Sequence, residues 1–94
     1  HTLSWFADSR GYDDAVDPET MSVVTAVEAI ESEVTGPNLL RMTLTLPCVA
    51  YARNVLLLIT GSDKRDVFDS AAPEAPVNLM KRAAGSALTV FYCD

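Results

Sequence analysis

The sharpest chemical feature of the sequence is a glycine turn that joins an apolar run to a lysine, Thr60-Gly61-Ser62-Asp63-Lys64. The run before it, NVLLLIT at 54 to 60, carries no charge and reads as a strand. Gly61 lets the backbone turn tightly. A helix is predicted over Asp63 to Phe68, with Ser62 as its N-cap. The N–H groups at a helix start attract anions, and Lys64 adds a full positive charge. In open α/β sheets, ligands gather beyond the carboxyl ends of the strands. On local pattern alone these residues read more readily as an ordinary strand-turn-helix connection with a solvated lysine. The anion site is the alternative.

The other candidates are fewer. His1 is the single histidine. Imidazole is the side chain best suited to move protons near neutral pH, although a lone histidine at a chain end ordinarily has no role. Arg41 opens the segment RMTLTL. It reads either as an edge arginine whose stem covers apolar surface or as a fork for a carboxylate or phosphate, and position alone leaves both open. The pairs Asp13-Asp14 and Asp63-Asp66 lack histidine support and read as solvated surface, so no metal is expected. Trp5-Phe6 reads as a core anchor before it reads as a ligand platform. Cys48 and Cys93 are far apart, without a CxxC, and read as two reduced thiols.

Positioning these residues requires strands and helices in alternation. Residues 1 to 20 read as a loop, with room for a short helix. Ser22 to Ile30 is rich in β-branched residues and reads as a strand. Gly36-Pro37 marks a turn. Arg41 to Leu46 alternates, which predicts a strand with Met42, Leu44 and Leu46 on one face, Thr43 and Thr45 on the other, and one of the two faces buried. Pro47 is placed to start a short helix over Cys48 to Arg53. Asn54 to Thr60 suits a central strand buried on both faces. A second amphipathic helix is predicted over Val77 to Ala84, closed by Gly85, and a last strand over Leu88 to Tyr92. The order β-β-α-β-α-α-β predicts an α/β layer with some parallel pairing.

Size and charge narrow the function classes. The 94 residues allow one domain, with 49% hydrophobic and 21% charged residues, an ordinary globular composition. Thirteen acidic against seven basic side chains give a net charge of −6, which disfavours nucleic acid as a partner. No apolar run is long enough to span a bilayer, and no signal peptide is visible, so a cytoplasmic location is expected. The first residue is not Met, which suggests a processed or truncated chain.

Taken together, five blocks resemble the 6-phosphogluconolactonase family, in that family's order. HTLSWF at 1 to 6 resembles the end of the signature D-G-H-T-A-S-L-F-P. RMTLTLP at 41 to 47 resembles its R-I-T-L-T-L-P strand. NVLLLITGSDK at 54 to 64 resembles a V-x-F-L-V-T-G-x-x-K strand and turn. APVNLMKR at 75 to 82 resembles a P-V-x-x-L-L segment, and LTVFYCD at 88 to 94 resembles the closing strand. Related glucosamine-6-phosphate deaminases share the final turn but follow the histidine with I-A-F-N-E-P. Thr2-Leu3-Ser4-Trp5-Phe6 fits the lactonase pattern better. Leu3, Trp5 and Ala7 depart from that pattern, standing where alanine, leucine and proline are usual.

The resemblance implies an α/β fold, a partial Rossmann-like three-layer sheet with flanking helices, with residues 1–94 as the C-terminal portion of a single lactonase-like domain. It implies hydrolysis of 6-phosphogluconolactone to 6-phosphogluconate in the pentose phosphate pathway, with a sugar phosphate as the small-molecule partner and no cofactor. His1 matches the catalytic histidine. Lys64 with Gly61 and Ser62 matches the phosphate site, and Arg41 matches a substrate or site-organising residue. The alternatives are a deaminase-like isomerase and a non-catalytic sugar-phosphate-binding module. The chain by itself is expected to be inactive, and either to need a missing N-terminal half or to self-associate through an uncovered sheet edge.

Overall fold

A computed structural model describes residues 2–94, which open with a bridge between Thr2 and Trp5. His1 lies outside the described residues. The elements are α1 (Tyr12–Ala15), β1 (Val24–Glu28), β2 (Leu40–Leu44), α2 (Leu46–Tyr51), β3 (Val55–Thr60), α3 (Ser62–Ser70), α4 (Pro76–Ala84), a 3-10 turn (Gly85–Ala87) and β4 (Leu88–Cys93). The chain is α/β as expected, with the strands in two separate two-stranded ladders flanked by helices.

The first ladder is antiparallel. Val24 pairs with Leu44, and Glu28 with Leu40. The connecting loop turns at Gly36, which has φ 62°, and Ala29 N–H bonds to the Leu39 carbonyl at 2.8 Å where it begins. The second ladder is parallel, running from Val55 opposite Leu88 to Thr60 opposite Cys93. Parallel neighbours need a long crossover, and α3 with α4 supplies it. Helix α2 packs on α4. The core joins both halves through Trp5, Ala15, Val27, Val49, Met80 and Ala84. Gly11 is required by close approach. Its φ is 91°, and a Cβ there would meet the Ala26 carbonyl oxygen at 2.5 Å.

One facing left open by the sequence is decided, and one facing expectation is overturned. In β2 the apolar residues face outward: Met42 is 69% exposed, and Leu40 and Leu44 are also open. Thr43 and Thr45 are the buried residues. Hydrogen bonding explains this facing. The Thr45 hydroxyl reaches the Ser22 carbonyl at 2.6 Å, and Thr43 Oγ1 accepts the Ser4 N–H at 3.3 Å. Buried hydroxyls with partners cost little, and segment 2–6 covers this face. In β3 only alternate residues are covered: Ile59 is buried, while Leu56 and Leu58 are each 70% exposed.

Boundaries also shift. β2 ends at Leu44, so Leu46 joins α2. Gly61, not Ser62, is the N-cap of α3 and has φ 89°. Gly85 ends α4 as expected, and its N–H bonds to the Lys81 carbonyl.

One stability prediction arises here. Tyr12 is half-buried against the core, and burial first, then the neighbouring Asp13 charge, raises its phenol above the usual 10.0. The unfolded chain therefore ionises at a lower pH than the folded one. Stability is full below the ordinary phenol value and falls as pH rises through the folded value. Tyr12→Phe should flatten the loss of urea midpoint between about pH 9 and pH 11. Identical slopes for both proteins would show that Tyr12 contributes nothing.

Candidate active site

Strand β3 delivers Thr60 and Gly61 to the start of α3. The Gly61 N–H is held by the Cys93 carbonyl at 2.8 Å. Gly61 therefore shapes the turn rather than donating to a ligand. The helix proper starts when Arg65 N–H reaches the Gly61 carbonyl at 3.3 Å. The amides of Ser62, Asp63 and Lys64 are the first of α3 and have no acceptor within the helix. They are the donors that an anion would meet, and no side chain caps them.

Beside this turn lies a cleft of about 740 Å³. Lys64 and Asp63 line it from α3, Phe68 from the next turn, Pro76 from α4, Val34 from the β1–β2 loop and Thr2 from the N-terminal segment. Its wall is mostly apolar with a few polar groups, the usual make-up of a small-molecule site. Of the residues singled out in the sequence, Lys64 lines this cleft. Gly61 and Ser62 form the turn next to it. His1 is outside the described residues, and its chain neighbour Thr2 is on the wall.

The segment 2–6 is fixed from β2. Trp5 Nε1–H donates to the Leu44 carbonyl at 2.9 Å. Ser4 N–H donates to Thr43. The Arg41 guanidinium stands 5.3 Å from the Phe6 ring centroid. Thus β2 presents Arg41 and Thr43 on one face, and that face holds the N-terminal segment. A smaller cleft of about 320 Å³ adjoins, sharing Val34 and Pro76 with the first and lined also by Phe6, Asp8, Ser32 and Thr35. Arg41 lines neither cleft.

Lys81 on α4 donates to the Phe68 carbonyl at 2.7 Å and sits 3.7 Å from that ring's centroid. Phe68 meets Tyr92 edge-on at 6.1 Å, and Arg65 covers Tyr92 at 4.3 Å. These contacts tie α3 to α4 and β4, which fixes the wall carrying Lys64. Sequence reasoning missed Val34 and Phe68 as cleft residues. No local pattern marks them, because they meet only through tertiary packing. Pro76 belonged to a recognised block but had no assigned role.

Among the described residues, no group of three or more His, Cys, Asp or Glu side chains could hold a metal ion. No helix among them is long and apolar enough to cross a membrane. Cys48 and Cys93 are both free thiols.

Comparison with known proteins gives a consistent result. The family model described as glucosamine-6-phosphate isomerases/6-phosphogluconolactonase matches residues 1–89. A 6-phosphogluconolactonase of Neisseria meningitidis serogroup B is 34% identical over an alignment of 98 residues, which covers 100% of this chain and 40% of that protein. One from Mesorhizobium japonicum is 33% identical over 95 residues, covering 98% and 38%. The crystal structure of a 6-phosphogluconolactonase from Shewanella baltica superimposes with a TM-score of 0.70 at 26% identity, covering 100% of this chain and 40% of that one. The chain thus spans about 40% of the length of the relatives it matches.

Proposed function

Because the chain belongs to the glucosamine-6-phosphate isomerase/6-phosphogluconolactonase family, we propose that it is a portion of a cytoplasmic enzyme that hydrolyses 6-phosphogluconolactone to 6-phosphogluconate in the pentose phosphate pathway. The relatives at 33–34% identity are all named as lactonases, and the residues after His1 favour that branch over the isomerases. The observation that carries the reading is the shared cleft. Lys64 and Thr2, the residue that follows His1, line one cavity large enough for a sugar phosphate.

In this reading His1 takes a proton from water as the oxygen attacks the lactone carbonyl. The tetrahedral intermediate collapses with cleavage of the ring C–O bond, and the ring oxygen leaves with a proton returned from His1. The Lys64 ammonium and the first amides of α3 hold the phosphate. Arg41 belongs to the site as a substrate or organising residue. The remainder of the domain supplies the other site groups and covers the open apolar faces of the two ladders. The chain by itself is therefore expected to be inactive and prone to self-association.

The test is turnover of fresh 6-phosphogluconolactone by the complete protein and by the chain alone. The complete protein should be active and the chain alone inactive. Lys64→Met in the complete protein should raise KM by about 10- to 100-fold with kcat nearly unchanged, the signature of lost phosphate binding. A complete protein that is well folded yet inert on the lactone sinks the reading. Turnover of glucosamine-6-phosphate instead would move it to the other branch. Binding of 6-phosphogluconate without turnover would make it a binding module.

A further inference from the structure

We infer that Arg41 is a positioning residue, one that acts on the ligand through the β1–β2 loop and does not touch the phosphate. This rests on the lactonase reading above. The Arg41 Nε–H donates to the Asn38 carbonyl at 3.0 Å, and an η-nitrogen donates to the Thr35 carbonyl at 2.7 Å. Its guanidinium carbon also lies over the Phe6 ring, 5.3 Å from the centroid. Thr35 and Phe6 both line the smaller cleft, and Val34, beside Thr35, lines both clefts. Arg41 itself lines neither. It stands behind the wall and holds the loop and the N-terminal segment together.

The loop needs such a tie. Thr35 is buried, and its hydroxyl accepts the Ser32 N–H at 2.8 Å and donates to the Ile30 carbonyl at 2.8 Å. These bonds knit the loop to itself. Arg41 joins it to β2 from inside the turn. Lysine cannot reproduce that link, because a single ammonium cannot bond two carbonyls in a planar fork and stack on a ring together. Two donors of the guanidinium are already engaged by carbonyls, whereas Lys64 lines the large cleft directly.

The experiment uses the complete protein with Arg41→Ala and Arg41→Lys. Binding of 6-phosphogluconate and of inorganic phosphate is measured for each, together with amide hydrogen exchange. Affinity of Arg41→Ala for 6-phosphogluconate should fall by about tenfold, the loss expected for charged-donor bonds. Affinity for inorganic phosphate should stay the same. Exchange at residues 32–36 should rise, and Arg41→Lys should recover only part of each loss. If phosphate affinity falls in step with 6-phosphogluconate affinity, Arg41 is a direct ligand and the proposal is overturned. Unchanged exchange at 32–36 in both variants overturns it as well. Wild-type protein that binds phosphate but not 6-phosphogluconate sinks the lactonase reading itself, a result separate from either Arg41 outcome.

Discussion

In the complete protein, His1→Ala is expected to lower kcat on 6-phosphogluconolactone by about 10²- to 10⁴-fold, with KM little changed. Water is a poor nucleophile toward an ester carbonyl until a base removes its proton during attack. The chain has one histidine, and in the proposed reading its HTLSWF context resembles the lactonase signature. The next residue, Thr2, lines the cleft that also receives Lys64. A base acting only in the transition state changes kcat and leaves ground-state binding of the phosphate intact. The pH profile gives a second readout. Wild-type kcat/KM should fall on the acid side as the general base protonates. His1→Ala should lose that limb along with the rate. A variant that keeps wild-type turnover, or that loses rate but keeps the acid limb, would remove His1 from the chemistry and leave the family assignment standing.

The order of elements and the turn at Gly61 could be read from the sequence because both are written locally. Apolar runs, Pro47, Gly85 and the β-branched stretch at 23 to 27 each fix a boundary within a few residues. The alternation in RMTLTL was also legible, yet it did not say which face would be covered. That choice belongs to whatever packs on the strand. Here segment 2–6 takes the threonine face, where Thr43 accepts the Ser4 N–H, while the Thr45 hydroxyl bonds the Ser22 carbonyl ahead of β1. The Leu40, Met42 and Leu44 face stays open among the described residues. The apolar run of β3 misled in a related way. Composition suggested burial on both sides, while Leu56 and Leu58 stand open in a chain spanning about 40% of its relatives. The cleft was only half legible. Lys64 follows a recognisable turn, but Val34 reaches the cleft from a loop more than 20 residues upstream. Arg41 was legible as a residue of interest, and its partners were not, since both are backbone carbonyls.

Trp5 is expected to be the costliest single side chain to remove. It is fully buried within the core cluster that joins the two halves of the chain. Its ring packs in that cluster while Nε1–H donates to the Leu44 carbonyl at 2.9 Å. Trp5→Ala should cost about 3–5 kcal/mol through lost burial and the cavity left behind. That is a large share of the roughly 5–15 kcal/mol that holds a domain of this size. Trp5→Phe separates the two contributions. It keeps most of the buried ring and loses the donor, and Thr43 Oγ1–H still donates to the same carbonyl at 3.0 Å. Its cost should therefore be near about 1 kcal/mol. Urea unfolding followed by far-UV circular dichroism measures both, since Trp5 is the only tryptophan and its fluorescence disappears with it. Because Trp5 belongs to the core and Thr2 to the cleft wall, Trp5→Phe in the complete protein should also retain turnover where Trp5→Ala loses it. If Trp5→Ala unfolds at nearly the wild-type midpoint, the segment is not anchored by this ring. If Trp5→Phe costs as much as Trp5→Ala, the hydrogen bond to β2, not the filled core, is what holds the N-terminal segment in place.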